Sequence, residues 1–574
     1  MNTVVIDQAE ATKVAGKLRW SADRETLIRV IGLLLGFGVL AIGMILPLYA
    51  ILSRSVQDSD GHFIGLANFV EYASTPALFD SALNSLTIAL VTTMIVVSLA
   101  LVAAYALTRS CMPAKGLIRT LLMGPIFAPS LLPAIALVYL FGNQGVLKSW
   151  LFGETVYGPI GIVVSLSLWC FPHALMILTT ALSNTDARLY ESARALRTHP
   201  VRVFLTITLP SIKYGLVSAG FVVFTLVLTD FGAPKVIGGQ YNVLATDIYK
   251  QVIGQQNFQM GAVVAVILLF PALLAFAADR WVQRKQVALL TARSEPLLPE
   301  LEPVRDYSML MCCLPMVAVV LGVLGMAVYA SLVTFWPYNL SLSLANYQFD
   351  LMDGGGWGAY YNSLQLAGWT AVVGTLMIFV TAYLIERTKE LTWLRQLVHL
   401  AAILPLAVPG LVLGLAYIFF FNHPSNPLNG LYGTMAILVL CTVAHYYTVC
   451  HLTALTALKQ IDREFEAVSA SLKVPFYTTF LRVILPVSLP AVLEISIYLF
   501  VNAMNTVSAV VFLYSSDTML ASVAVLNMDD AGDIAPAAAM GVLLMFTCIA
   551  AKCLHWLLTR ALIQRTQSWR SIRG

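Results

Sequence analysis

The sequence predicts an all-α integral membrane protein of about twelve transmembrane helices, built as two parallel six-helix repeats. Composition, the placement of Lys and Arg, and an internal repeat carry this reading. Of 574 residues, 59% are hydrophobic and only 11% are charged, with a mean hydropathy of +0.80. A soluble domain carries roughly 25% charged residues, so a lipid-facing surface is the simplest account. The net charge of +4 is small and gives no reason to expect nucleic acid as a partner.

A span needs about 20 mostly apolar residues. Six candidates lie at 29–52, 83–108, 119–141, 159–182, 212–230 and 259–280. Six more lie at 308–335, 362–385, 395–421, 432–456, 487–514 and 535–558. The polar stretch before the first run lacks a small-residue cleavage site, so that run is expected to be a retained span.

Lys and Arg concentrate on the cytoplasmic side of membrane proteins. Alternate connections carry Arg109, Lys115 and Arg119, then Arg188, Arg194, Arg197 and Arg202, then Arg280, Arg284 and Lys285. In the second half they carry Arg387, Lys389 and Arg395, then Arg463, Lys473 and Arg482, then Arg560 and Arg565. The intervening loops hold only Arg54, Lys148, Lys235 and Lys250. Both termini are therefore expected in the cytoplasm. Residues 282–306 are charged and proline-bearing, and read as a cytoplasmic linker between a first half, 1–281, and a second, 307–574.

The halves repeat at a nearly fixed offset. Asn-Ser-Leu at Asn84 and Ala-Tyr-x-x-x-Arg ending at Arg109 recur at Asn362 and Arg387, each 278 positions later. Pro129 and Pro133 recur as Pro405 and Pro409, and the polar loop 186–210 recurs as 462–486, both at an offset of 276. Parallel repeats of this kind are related by an axis along the membrane normal.

Those loops are the informative feature. In the first, Leu189, Ala193 and Leu196 fall on one helical face. Asp186 is a suitable N-cap, and Pro200 breaks the chain before a second apolar stretch that ends at Pro210. In the second loop the face is Phe465, Ser469 and Leu472, with Pro475 as the break. A short helix, a turn and a second helix at the membrane surface suit docking into a groove on a partner. Two copies suggest two equivalent partners.

The first loop resembles the signature of ABC-importer permeases, which reads Glu-Ala-Ala, three residues, Gly, nine residues, then Ile-x-Leu-Pro. This chain has Glu191-Ser192-Ala193, Arg197 at the Gly position, then Ile207, Leu209 and Pro210. In the second copy Ala467 stands at the Glu position, with Glu464 and Glu466 nearby, Lys473 at the Gly position, and Pro486 closing the motif. The resemblance covers nearly the whole chain and implies the type I ABC importer permease fold in an inner membrane. It implies that the loops are coupling helices seated in clefts of two ATPase subunits. Leu189, Glu191, Ser192, Ala193, Leu196, Arg197, Leu209 and Pro210 would make the first contact. Phe465, Glu466, Ala467, Ser469, Leu472, Lys473 and Pro486 would make the second. ATP and Mg would then sit on the ATPases, and a periplasmic solute-binding protein would deliver the substrate. Fused permeases of the iron(III), thiamine and phosphonate importers are the most similar. The stretch Phe500 to Leu544 looks most like 2-aminoethylphosphonate permeases, which makes that solute the expected substrate; iron(III), thiamine and polyamines fit the same architecture.

Several chemistries are missing. There is no G-x-x-x-x-G-K-[ST] loop to hold nucleotide phosphates. The eight cysteines form no C-x-x-C pair, and the eight histidines form no H-E-x-x-H. The chain is therefore expected to be non-catalytic, with no metal or cofactor of its own. A charge inside a span costs about 2.5–3.5 kcal/mol, so Glu494 in the eleventh span and Asp230 at the outer end of the fifth are candidates to line a pathway. Asn505 and Thr506 occupy the corresponding place in the second half. The main alternative is an ion-coupled secondary transporter with twelve spans, which would want more coupling charges and has no use for twin docking loops.

Overall fold

A computed structural model describes residues 8–287, 297, 299–388 and 391–566. The expectation of an all-α membrane protein holds. Among the described residues, nine helices are long and apolar enough to cross a membrane, and two further pairs of helices qualify as bent spans. A two-stranded ribbon, Val333–Phe335 against Asn339–Leu342, follows the seventh span.

Prolines account for the spans that are not straight. The third was expected over 119–141. It divides into Lys115–Leu122, a tight turn at Gly124–Phe127, and Leu131–Phe141. Ala128 is extended (φ −93°, ψ 141°) because Pro129 follows it and excludes the helical region. The ninth span repeats this: Val408 is extended ahead of Pro409, and Thr392–Ala407 meets Gly410–Phe421 at 115°. The eleventh, expected at 487–514, bends by 75° between Phe476–Val487 and Leu489–Asn505. It ends at Asn505, and residues 506–514 are not helical. Pro490 cannot donate to the carbonyl of Pro486, which favours the bend at Ser488. The first half has Tyr214 at the place of Pro490, and there Pro200–Thr229 is one continuous run.

That continuity corrects one expectation. The apolar stretch after Pro200 is not a separate helix before the fifth span; it is the beginning of that span. A widened turn at Phe204–Thr208, in which the Leu209 N–H donates to the Phe204 carbonyl, absorbs Pro210. The same turn at Phe480–Ile484 precedes Pro486. The wider turn relieves the clash of a proline ring with the carbonyl four residues back.

The helix Pro76–Arg109 packs on Pro159–Ser183 and Leu209–Thr229, and the last packs on Phe258–Val287. The first helices of the two halves cross over. Leu46–Ser55 packs on Gly410–Phe421, and Pro303–Leu332 packs on Leu131–Phe141 as well as on Ile534–Thr566. Tyr417, fully buried, donates to the Gly43 carbonyl at 2.8 Å across this crossing. Gly32 and Gly36, four residues apart, lie against Leu384 and Thr381 so closely that a Cβ would stand 2.6 and 3.1 Å from their side chains. Small residues at such spacing let membrane helices approach without a hydrophobic driving force.

Candidate functional site

Each loop forms a short helix, Ala187–Ala195 and Glu464–Ser471. Aspartates open both. Asp186 accepts from the Arg188 N–H at 3.1 Å, as the N-cap reading expects, and Asp462 accepts from the Glu464 N–H at 3.0 Å. Both helices close alike. The Arg197 N–H reaches the Arg194 carbonyl and the Thr198 N–H reaches the Ala193 carbonyl, at 2.9 and 3.0 Å. Lys473 and Val474 repeat the pattern onto Ala470 and Ser469. This pair of bonds requires a left-handed residue after the helix, and Arg197 (φ 49°) and Lys473 (φ 57°) supply it. Glycine suits that conformation best, which explains the signature residue that both replace.

Arginines of the repeated Ala-Tyr-x-x-x-Arg motif hold the loops in place. The Arg109 guanidinium donates to the Leu182 carbonyl at 2.9 Å and to Thr185 Oγ1, and lies 4.9 Å from the centre of the Tyr190 ring. Arg387 donates to the carbonyls of Leu458 and Ile461 at 2.5 and 2.9 Å and pairs with Glu466 at 2.9 Å. Tyr190 and Glu466 are repeat equivalents, so one anchor is aromatic and the other ionic. The repeat spacing displayed both arginines, but their work as anchors is visible only once the helices meet. Elements from elsewhere brace each loop: Glu300 pairs with Arg194, and the Arg29 guanidinium lies 4.7 Å from the Phe476 ring centre.

Not all expected docking residues face outward. Leu189 and Leu196 are 49% and 79% exposed, and Phe465 and Leu472 are 47% and 69% exposed. Glu191, Ser192, Arg197, Pro210, Ala467, Lys473 and Pro486 are also exposed, while Leu209 and Ser469 are half-buried. Ala193 is buried within its own chain, and Glu466 is turned to Arg387. A helical stripe has only one direction of burial, and Ala193 lies where this stripe meets the bundle.

Between the halves lies a cavity of about 570 Å³, and Asp230, Glu494, Asn505 and Thr506 all line it. Asp230 accepts from the Ala233 N–H at 3.0 Å. Asn505 donates to the Phe127 carbonyl of the other half at 3.3 Å. Glu494 pairs with Lys552 at 3.0 Å and lies 3.5 Å from His555 Nε2. Asp279 also lines the cavity and accepts from Ser218 and Gln283, both at 2.7 Å. Ser218 and Asp279 are the repeat equivalents of Glu494 and His555, so the carboxylate has exchanged helices between halves. Sequence reasoning missed Asp279 and Lys552, although the cost of a charge within a span, which singled out Glu494, applies to Lys552 equally.

Residues 97–287 and 374–564 each match the family described as binding-protein-dependent transport system inner membrane component. The ferric transport system permease protein FbpB of Actinobacillus pleuropneumoniae is 28% identical over 439 residues, 74% of this chain; the chain spans 63% of that relative's length. The Fe(3+)-transport system permease protein FbpB 2 of Haemophilus influenzae is 23% identical over 85% of this chain and 90% of its own length. A protein named for 2-aminoethylphosphonate transport, PhnU of Salmonella typhimurium, is 25% identical over 43% of this chain and 90% of its own. With both halves matched, the chain belongs to the family of binding-protein-dependent transport system inner membrane components.

Proposed function

We propose that the chain is the permease of an ATP-driven importer that takes iron(III) from a periplasmic binding protein across the inner membrane. The observation that carries this is the pair of loop helices, capped alike, anchored by equivalent arginines and each leaving apolar side chains exposed. Exposed leucines on short charged helices suit the clefts of two ATPase subunits, which would bind the ATP and Mg and do the hydrolysis. The chain itself is non-catalytic in this reading, and its termini lie in the cytoplasm, as the Lys and Arg distribution supports.

For the substrate, the stretch Phe500 to Leu544 favoured 2-aminoethylphosphonate. The relatives named for ferric transport cover far more of the chain than PhnU does, and on that balance iron(III) stands first. The test is uptake into proteoliposomes holding the chain, its ATPase and a loaded binding protein. Radioactive iron should accumulate only with ATP and all three components. Accumulation by the chain alone on a proton gradient would replace this reading with a secondary carrier.

A further inference from the structure

We infer that Asp230 makes the central cavity selective for cationic solute, and that this residue discriminates against anions of the phosphonate or sulfate type. The inference rests on the importer reading for its direction of flow, and on the cavity for its chemistry. Three carboxylates line the cavity, and two of them have a cation at hand: Glu494 holds Lys552 at 3.0 Å, and Asp279, which takes hydrogen bonds from Ser218 and Gln283, has Arg280 beside it. Asp230 takes hydrogen bonds from the Ala233 N–H and the Ser130 hydroxyl, and joins no ion pair among the described residues. Its repeat equivalent is Thr506, so the charge is present on one side only.

Along the helix Leu209–Thr229, Ser218 and Asp230 are separated by about 18 Å at 1.5 Å per residue. The Asp279 level and the Asp230 level therefore mark two ends of one chamber. A solute passing between them meets, at Asp230, a carboxylate held by hydrogen bonds and joined to no described cation, with the neutral acceptors of Asn505 and Thr506 also lining the chamber. In a low-dielectric wall such a carboxylate attracts cations and repels anions strongly. The backbone bond from Ala233 needs only an acceptor oxygen, which asparagine also offers, so charge can be removed without removing the turn that Asp230 closes.

The experiment has two arms, so that failure of the cavity inference and failure of the importer reading are told apart. In proteoliposomes with ATPase and loaded binding protein, Asp230→Asn should lower iron moved per ATP hydrolysed about tenfold. Asp230→Glu should restore most of it, and Asp58→Asn, in an exposed loop, should match the parent. Unchanged coupling in Asp230→Asn overturns the inference. In the second arm the full chain alone, in nanodiscs of zwitterionic lipid, is titrated with terbium(III), with Trp169 of the cavity wall as sensitiser. The midpoint should move at least tenfold higher in Asp230→Asn. If the parent shows no ATP-driven uptake, the importer reading fails and the terbium titration decides the cavity: a shifted midpoint upholds it and an unshifted one overturns it.

Discussion

Arg387 and Glu466 form an ion pair at 2.9 Å with the arginine side chain 5% exposed and the glutamate 27% exposed. It joins the end of the eighth span to the second loop helix. Breaking a buried pair by removing one partner costs about 3–5 kcal/mol, because the other charge is left without compensation. Glu466→Gln, which leaves Arg387 its two carbonyl acceptors, should cost less, about 1–2 kcal/mol. Arg387→Ala should cost more, since it also abandons the carbonyls of Leu458 and Ile461. Thermal unfolding in detergent checks the order; equal losses would mean that the carbonyl bonds contribute nothing.

The left-handed residues that end the loop helices make an opposite prediction. A side chain in that region costs about 1–2 kcal/mol relative to glycine. Arg197→Gly and Lys473→Gly should therefore each make their loop more ordered, while Arg197→Val should fray it. Hydrogen exchange at the amides of Thr198 and Val474, which bond back to Ala193 and Ser469, reads this directly: protection rises with glycine and falls with valine.

Gly215 lies against Ala181, and a Cβ added there would meet the alanine Cβ at 2.4 Å. Neither group can swing away, so Gly215→Ala should force apart the helices Leu209–Thr229 and Pro159–Ser183, at about 1–3 kcal/mol. The compensating change Ala181→Gly should recover most of the loss in the double variant. A double variant no better than Gly215→Ala would place the strain elsewhere.

Asp529 gives a pH dependence. It lies on the short helix Ala521–Ala531, outside the spans. Burial pushes its carboxyl up to about 7, with Asp530 adding to the effect and Lys235 opposing it. The folded value exceeds the unfolded one near 3.8, so its stabilising contribution is full below that value and is lost as pH rises through about 7. Asp529→Asn should thus match the parent near pH 4 and melt progressively above it as pH rises from there to 8. Parallel melting curves across that range would contradict the assignment.

What could be read in the sequence follows the physics of each signal. Span positions were legible because lipid demands long apolar runs, and the six-plus-six repeat was legible because its polar loops match without a gap. The breaks at Ala128, Val408 and Ser488 were not, because proline inside a membrane helix is compatible with a straight, kinked or broken run. Of the residues that line the cavity, Asp230 and Glu494 were found by the cost of charge in lipid, and Asp279, at the end of the predicted span 259–280, was not although the same argument applies to it. Of the expected face, Leu189 and Ala193 lie on the helix Ala187–Ala195 and Leu196 at its C-terminal cap. Periodicity does not say which edge of a stripe meets its own bundle, and Ala193 is that edge.

The central claim is that the two loops dock two separate ATPases, and a count of bound subunits tests it most directly. Native mass spectrometry of the purified complex should find two ATPase subunits per chain. Leu196→Glu and Leu472→Glu alter exposed side chains, so each alone should leave one subunit bound, and the two together none. Two subunits retained by the double variant, or a parent complex with no ATPase at all, would contradict the account.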